Sequence, residues 1–202
     1  AEAGTITLLP GDEKTCTITN SDVQPKLTLV KTMDIKYGGT ATAADFKASV
    51  SSGEISMEVP WNTSTGFNVG DYVVSETVLK GYEASAWGGD CAEDGSITLG
   101  PGDAKTCTIT NSDIQPQLKL VKTMDIQYGG TATATDFQAA VKDASGASTN
   151  VAWDTFTGFD VGAYDANETG PAGYTASAWG GDCSEDGAVA LPAGGEFHRA
   201  NV

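Results

Sequence analysis

TCTITNSD stands twice in the chain, at Thr15–Asp22 and again at Thr106–Asp113. The segment is short, β-branched and alternating, which is the pattern of a half-buried strand. Extended to the left, GTITLLPGDEKTCTITN (Gly4–Asn20) is a near copy of GSITLGPGDAKTCTITN (Gly95–Asn111). The second copy falls where a repeat unit ends and a closing hairpin belongs. The first falls at the start of the chain, with no unit ahead of it.

The repeat itself is plain. QPKLTLVKTMDIKYGGTATAADF (Gln24–Phe46) returns as QPQLKLVKTMDIQYGGTATATDF (Gln115–Phe137), an offset of 115 − 24 = 91. GYEASAWGGDCAEDG (Gly81–Gly95) returns as GYTASAWGGDCSEDG (Gly173–Gly187), an offset of 173 − 81 = 92 after one inserted residue. A unit of this length can carry its own core. LTLVK, CTITN, SITL and VAW read as strands between GG, PGD, GD and DG turns, and only ATAADFKASV hints at a short helix. The expectation is all-β: two tandem antiparallel β-sandwich, immunoglobulin-like domains, spanning 23–113 and 114–202, behind an N-terminal donor strand or hairpin at 1–22.

The cysteines carry the same message. Cys91 and Cys107 flank the ITL strand sixteen residues apart and form a natural pair. Cys183 corresponds to Cys91, but its own closing segment GAVALPAGGEFHRANV (Gly187–Val202) has no cysteine. Cys16 corresponds to Cys107 and has no domain before it. Each is the partner the other lacks. The arrangement this suggests is a head-to-tail homopolymer, in which residues 1–20 complete the second domain of another copy and Cys16–Cys183 locks the joint. Other arrangements satisfy the same residues: the hairpin folds back on its own second domain, two copies close into a dimer, or FHRAN (197–201) closes that domain and leaves both thiols free.

The chain's 202 residues carry 27 acidic against 11 basic side chains, a net charge of −16. That balance argues against nucleic acid and anionic lipid as partners. No apolar run reaches membrane-spanning length, so no membrane insertion is expected. One histidine, His198, and cysteines without ligand spacing argue against zinc and against Ser-His-Asp or Cys-His catalysis. No cofactor and no turnover enzyme activity are expected. Paired cysteines suggest an oxidising, extracellular setting, and the start AEAG fits a mature terminus left by signal cleavage.

Further residues carry a family resemblance. LTLVK (Leu27–Lys31) and LKLVK (Leu118–Lys122) precede YVVSETVLKGY (Tyr72–Tyr82) and YDANETGPAGY (Tyr164–Tyr174), and TITN closes the unit. This resembles the prealbumin-like, collagen-adhesin B-type domains of bacterial surface proteins and pilins, whose E-box reads Tyr, x, Leu, x, Glu, Thr. Here Val74 and Ala166 replace the leucine. The resemblance implies a Lys–Asn isopeptide promoted by the E-box glutamate: Lys31, Glu76 and Asn111 in the first domain, and Lys122 and Glu168 in the second. The second domain's asparagine would be Asn20 of a neighbouring copy, or Asn201 if the domain closes itself. The chain then reads as a structural subunit of an extracellular, cell-surface filament or pilus. The alternative is a repeat fragment of a longer adhesin or stalk.

Other features weigh less. The acidic loops WGGDCAEDG and WGGDCSEDG offer oxygen ligands for calcium but lack EF-hand spacing. Trp61, Trp87, Trp153 and Trp179 recur with the repeat and read as core aromatics before they read as a sugar platform. Asn62 and Asn167 head glycosylation sequons.

Overall fold

The computed structural model describes residues 4–193, so the FHRAN segment and Asn201 lie outside it. In the first unit the strands are β1 (Lys26–Asp34), β2 (Ala48–Ser52), β3 (Ile55–Val59), β4 (Thr65–Gly66), β5 (Gly70–Glu76), β6 (Tyr82–Ala84), β7 (Gly88–Gly89), β8 (Ser96–Leu99) and β9 (Ala104–Asp113). One sheet runs β4-β1-β9-β6, with β7 also on β9; the other runs β3-β2-β5-β8. Strand alternation aims Leu27 and Leu29 from β1 and Cys107 from β9 at Ala48, Val50, Val74, Ile97 and Leu99 from the facing sheet. Each such large aliphatic, fully buried, contributes about 1.5–3 kcal/mol.

The sheets are antiparallel with one exception. β1 and β9 run parallel in unbroken register from Lys26↔Ala104 to Asp34↔Ser112. Period-2 patterning is the same for either direction, so the sequence pattern does not distinguish them.

The second unit repeats this plan with β10 (Gln117–Leu118), β11 (Gln138–Asp143), β12 (Ser148–Val151), β13 (Thr157–Gly158), β14 (Gly162–Thr169) and β15 (Ala188–Leu191). The order β12-β11-β14-β15 matches β3-β2-β5-β8, and β10-β13 matches β1-β4. Leu118 and Leu120 are buried against Ala139, Val141, Ala166, Val189 and Leu191. Among the described residues, no counterpart of β6, β7 or β9 forms in this unit.

Three local readings change. ATAADFKASV gives only a 3-10 turn at Ala43–Asp45 before β2, because Asp45 turns back to cap Thr42. VAW is not a strand: Val151 ends β12, and the chain bends at Asp154, which sits at φ 57° and donates its N–H to Leu120 O at 2.8 Å. Asn62 makes the same left-handed bend in the first unit, and Asn and Asp tolerate it better than most residues. Gly4–Asp22 carries no strand among the described residues, although TITLL and TCTITN have strand patterning.

Candidate functional site

β1 sets Lys31 on the same inward face as Leu27 and Leu29, so its side chain is fully buried. β5 places Glu76 on the neighbouring sheet, opposite Ala48 in register. The Lys31 ammonium donates to Glu76 Oε2. It also lies 4.1 Å from the centroid of Phe46 and 5.3 Å from that of Trp61, whose faces attract a cation. Burial pushes the Lys31 pKa down, and the Glu76 carboxylate draws it part of the way back.

Asn111 points into the same core from β9. In the parallel register Lys31 faces Ile109 and Met33 faces Asn111, so Lys31 and Asn111 are one inward step apart on adjacent strands. Asn111 Oδ1 is buried with no hydrogen-bond partner among the described residues. Such an orphaned acceptor costs about 1–3 kcal/mol, and its reason has to be sought in chemistry.

The second unit rebuilds half of this arrangement. Lys122 Nζ donates to Glu168 Oε2 at 2.6 Å and lies 4.1 Å from the Phe137 centroid and 5.7 Å from that of Trp153. Among the described residues no asparagine stands at the position of Asn111. Asn20 lies exposed in the N-terminal segment.

Cys91 and Cys107 are disulfide-bonded, joining the loop after β7 to β9. Cys16 is an exposed thiol, and Cys183 is a half-buried thiol packed against the second core. Burial, then the Asp182 carboxylate, pushes the Cys183 thiol pKa up. The two thiols are not brought together within one chain.

The N-terminal hairpin holds its shape without a sheet. Leu9 N–H donates to Asp12 Oδ2 at 3.0 Å, and Asp12 N–H returns to Leu9 O at 3.0 Å. Lys14 Nζ reaches Thr7 O at 2.7 Å. The β8–β9 corner makes the same three bonds: Gly100 N–H to Asp103 Oδ2, Asp103 N–H to Gly100 O, and Lys105 Nζ to Thr98 O. Unlike that corner, the N-terminal copy leaves Ile6, Leu8, Leu9 and Ile18 exposed.

A cap at the end of β9 escaped the sequence reading. Asp113 Oδ1 accepts the Lys36 amide at 2.7 Å, and Oδ2 accepts those of Tyr37 and Gly39 at 2.8 and 3.0 Å. Burial pushes the Asp113 pKa up, but the Lys36, Gly39 and Tyr37 amides outweigh it and hold it below the ordinary value. The recurrence of Asp22 and Asp113 after TITNS was the available signal. In both units a tyrosine hydroxyl sets this loop from the other side: Tyr82 accepts from Ala41 N–H at 2.8 Å and Tyr174 from Ala132 N–H at 2.9 Å.

The tryptophans are structural. Trp61 stacks on Trp87, and Trp153 on Trp179, with centroids 6.3 and 6.4 Å apart. Trp61 and Trp153 donate their indole N–H groups to Phe46 O and Phe137 O. In the acidic loop of the first unit, Asp90 accepts Thr106 N–H and Asp94 accepts Ser96 N–H. Among the described residues no cluster of His, Cys, Asp and Glu has metal-binding form, and no helix is long and apolar enough to cross a membrane.

The family model and one solved structure agree with this architecture. A search of curated proteins returned no match. Among solved structures, the Bacillus anthracis TIE protein matches with a TM-score of 0.51 at 18% identity, over 86% of this chain and 32% of that one. This chain thus spans about a third of that protein. The C-terminal fragment of pilus adhesin SpaC from Lactobacillus rhamnosus GG matches with a TM-score of 0.39 at 14% identity, over 76% of this chain and 78% of that one. The family model described as prealbumin-like fold domain matches twice, at residues 22–109 and 113–198. With two matches covering most of its length, each on one of the two sandwich units, the chain belongs to the prealbumin-like fold domain family.

Proposed function

We propose that the chain is a structural subunit of an extracellular, cell-surface filament, built head to tail by donation of residues 1–20 into the second domain of the next copy. One observation carries this reading. The segment Gly4–Asp22 is a near copy of the β8–β9 hairpin, holds the same corner bonds, and exposes the apolar residues that β8 and β9 bury. An exposed segment with strand patterning and a pre-formed corner is suited to adding to a sheet edge. The second domain supplies the matching chemistry: Cys183 at the position of Cys91, and the Lys122–Glu168 pair at the position of Lys31–Glu76.

In the joint, the Cys16 and Cys183 thiols form a disulfide, passing two electrons and two protons to an extracellular disulfide or dioxygen. In each domain the lysine amine attacks the asparagine Cγ. The new C–N bond replaces Cγ–Nδ2, and ammonia leaves. The unprotonated amine is the nucleophile, a form that burial favours at Lys31. The glutamate takes the proton that the lysine ammonium donates to it, polarises the asparagine Oδ1 with it and relays it to the leaving amine. The orphaned Asn111 Oδ1 fits that role. The first domain uses Lys31, Glu76 and Asn111; the second uses Lys122, Glu168 and Asn20 of the neighbour.

Denaturing electrophoresis of assembled protein, with and without reductant, tests the reading. A ladder that collapses on reduction supports Cys16–Cys183 joints alone, and a ladder that survives reduction adds Lys122–Asn20. Monomer in both lanes, with free Cys16 and Cys183 thiols, supports closure of the second domain by its own segment 194–202 instead.

A further inference from the structure

The chain contains one joint between successive domains, and the surfaces that make it recur, unjoined, at Val69 in the first unit and Tyr128 in the second. Inside the chain, Val161 N–H donates to Tyr37 O at 2.7 Å. A Cβ placed on Gly38 would stand 3.7 Å from Val161 Cβ. The repeat puts Tyr128 and Gly129 at the positions of Tyr37 and Gly38, and Val69 at the position of Val161. Gly129 keeps the backbone of Gly38, at φ 77° against 81°. Yet Tyr128 is 97% exposed and Val69 51% exposed, and a Cβ on Gly129 would meet nothing. The linkers agree: SDVQP (Ser21–Pro25) matches SDIQP (Ser112–Pro116), and Pro25 and Pro116 are both buried.

Resting on the strand-donation reading, we infer that the subunit–subunit joint is a copy of the joint inside the chain. The partner is a second copy, and the contact lies outside the donated strand. The Val69 amide of one copy donates to Tyr128 O of the next. Asp22, entering behind the donated strand, takes the Gln127, Tyr128 and Gly130 amides as Asp113 takes those of Lys36, Tyr37 and Gly39. Ala132 N–H on Tyr174 already holds that loop in the receiving form. Filament geometry is then set one domain at a time, with the same step within and between subunits.

Engineered cysteines read this contact directly. A Cβ separation of 3.7 Å falls in the disulfide range, so Gly38→Cys with Val161→Cys should close within one chain. Both this control and the test pair, Val69→Cys with Gly129→Cys, are made in full-length protein carrying Cys16→Ser and Cys183→Ser and oxidised with oxidised glutathione. The control meets the same positive-φ glycine as the test. The expected result is monomer with both new thiols consumed in the control and a reducible ladder in the test pair. A closed control with monomeric test protein, while unmodified protein forms its Cys16–Cys183 ladder, overturns the copied joint and leaves strand donation standing. If unmodified protein forms no ladder, strand donation fails and this inference falls with it. If the control pair does not close, images of unmodified filaments decide: a single-domain axial repeat supports the copied joint, and alternating spacings overturn it.

Discussion

Lys122 and Glu168 form the same ion pair as Lys31 and Glu76, but less well shielded: their side chains are 13% and 15% exposed, against 0% and 7% in the first domain. The first domain has β9 and Asn111 beside its pair. The expected chemistry differs accordingly. On the proposed reading the first domain cross-links already in the monomer, so its intact mass is expected to be lower than its sequence by one ammonia, beside the two hydrogens lost to the Cys91–Cys107 disulfide. Glu76→Gln is expected to slow that loss by about 100-fold or more, the usual scale for removing a general acid–base, while the fold is retained. Mass spectrometry of freshly purified monomer checks both. Full ammonia loss in the Gln variant at the wild-type rate removes Glu76 from the chemistry.

Ile18 separates assembly from folding. It is 81% exposed here, while its counterpart Ile109 is 4% exposed in the core. Ile18→Asp is expected to leave the monomer's thermal unfolding unchanged and to abolish the ladder, since an unpaired carboxylate would have to enter an apolar core at a cost of several kcal/mol. Ile18→Val should assemble. Normal polymer from the Asp variant would show that this strand does not enter a core.

Asp113 makes stability depend on acid. Its pKa is lowered in the folded protein, so its contribution is present above the ordinary aspartate value and is lost as pH falls through the lower, folded one. Asp113→Asn should lower the unfolding free energy of the first domain by about 1.5–3 kcal/mol at neutral pH, the scale for bonds to a charged acceptor. The gap should close as the solution is acidified below about pH 4. Denaturant titrations at several pH values check this, and a gap independent of pH would point to shape rather than charge.

Lys31 gives a slope of the same sign in a different, more alkaline window. Where no isopeptide forms, as in Asn111→Ala, its lowered folded pKa means the unfolded chain binds more protons between that value and about 10.4. Stability of Asn111→Ala should therefore rise with pH across that window. Adding Lys31→Met should flatten the rise, which chemical denaturation read across alkaline pH would show. An unchanged slope in the double variant would assign it to another group.

Much of this was legible in the residues. The alternation of LTLVK, the ninety-odd-residue repeat and the spacing of Cys91 and Cys107 pointed to paired sandwiches and their disulfide, because each is a local pattern. The Lys31–Glu76 contact was reached through the E-box resemblance rather than periodicity. What stayed hidden depends on distant backbone. The recurrence of the aspartate in TITNSD marks Asp113 but not its partners, amides more than seventy residues earlier, since backbone N–H groups leave no trace in side-chain identity. The parallel direction of β1 and β9 was hidden because alternation has no sense of direction.

That parallel pairing has a mechanical consequence. The chain enters the first domain at Lys26 and leaves at Asp113, and the register running from Lys26↔Ala104 to Asp34↔Ser112 puts entry and exit at opposite ends of one strand pair. Tension along the polypeptide therefore pulls β1 and β9 past each other in shear. The whole ladder must yield together, whereas pulling from a shared end would peel it bond by bond. A domain gripped at residues 26 and 113 should resist markedly higher force in single-molecule pulling than one gripped at 26 and 104. A Lys31–Asn111 link, lying across that same pair, would carry the load past the hydrogen bonds altogether.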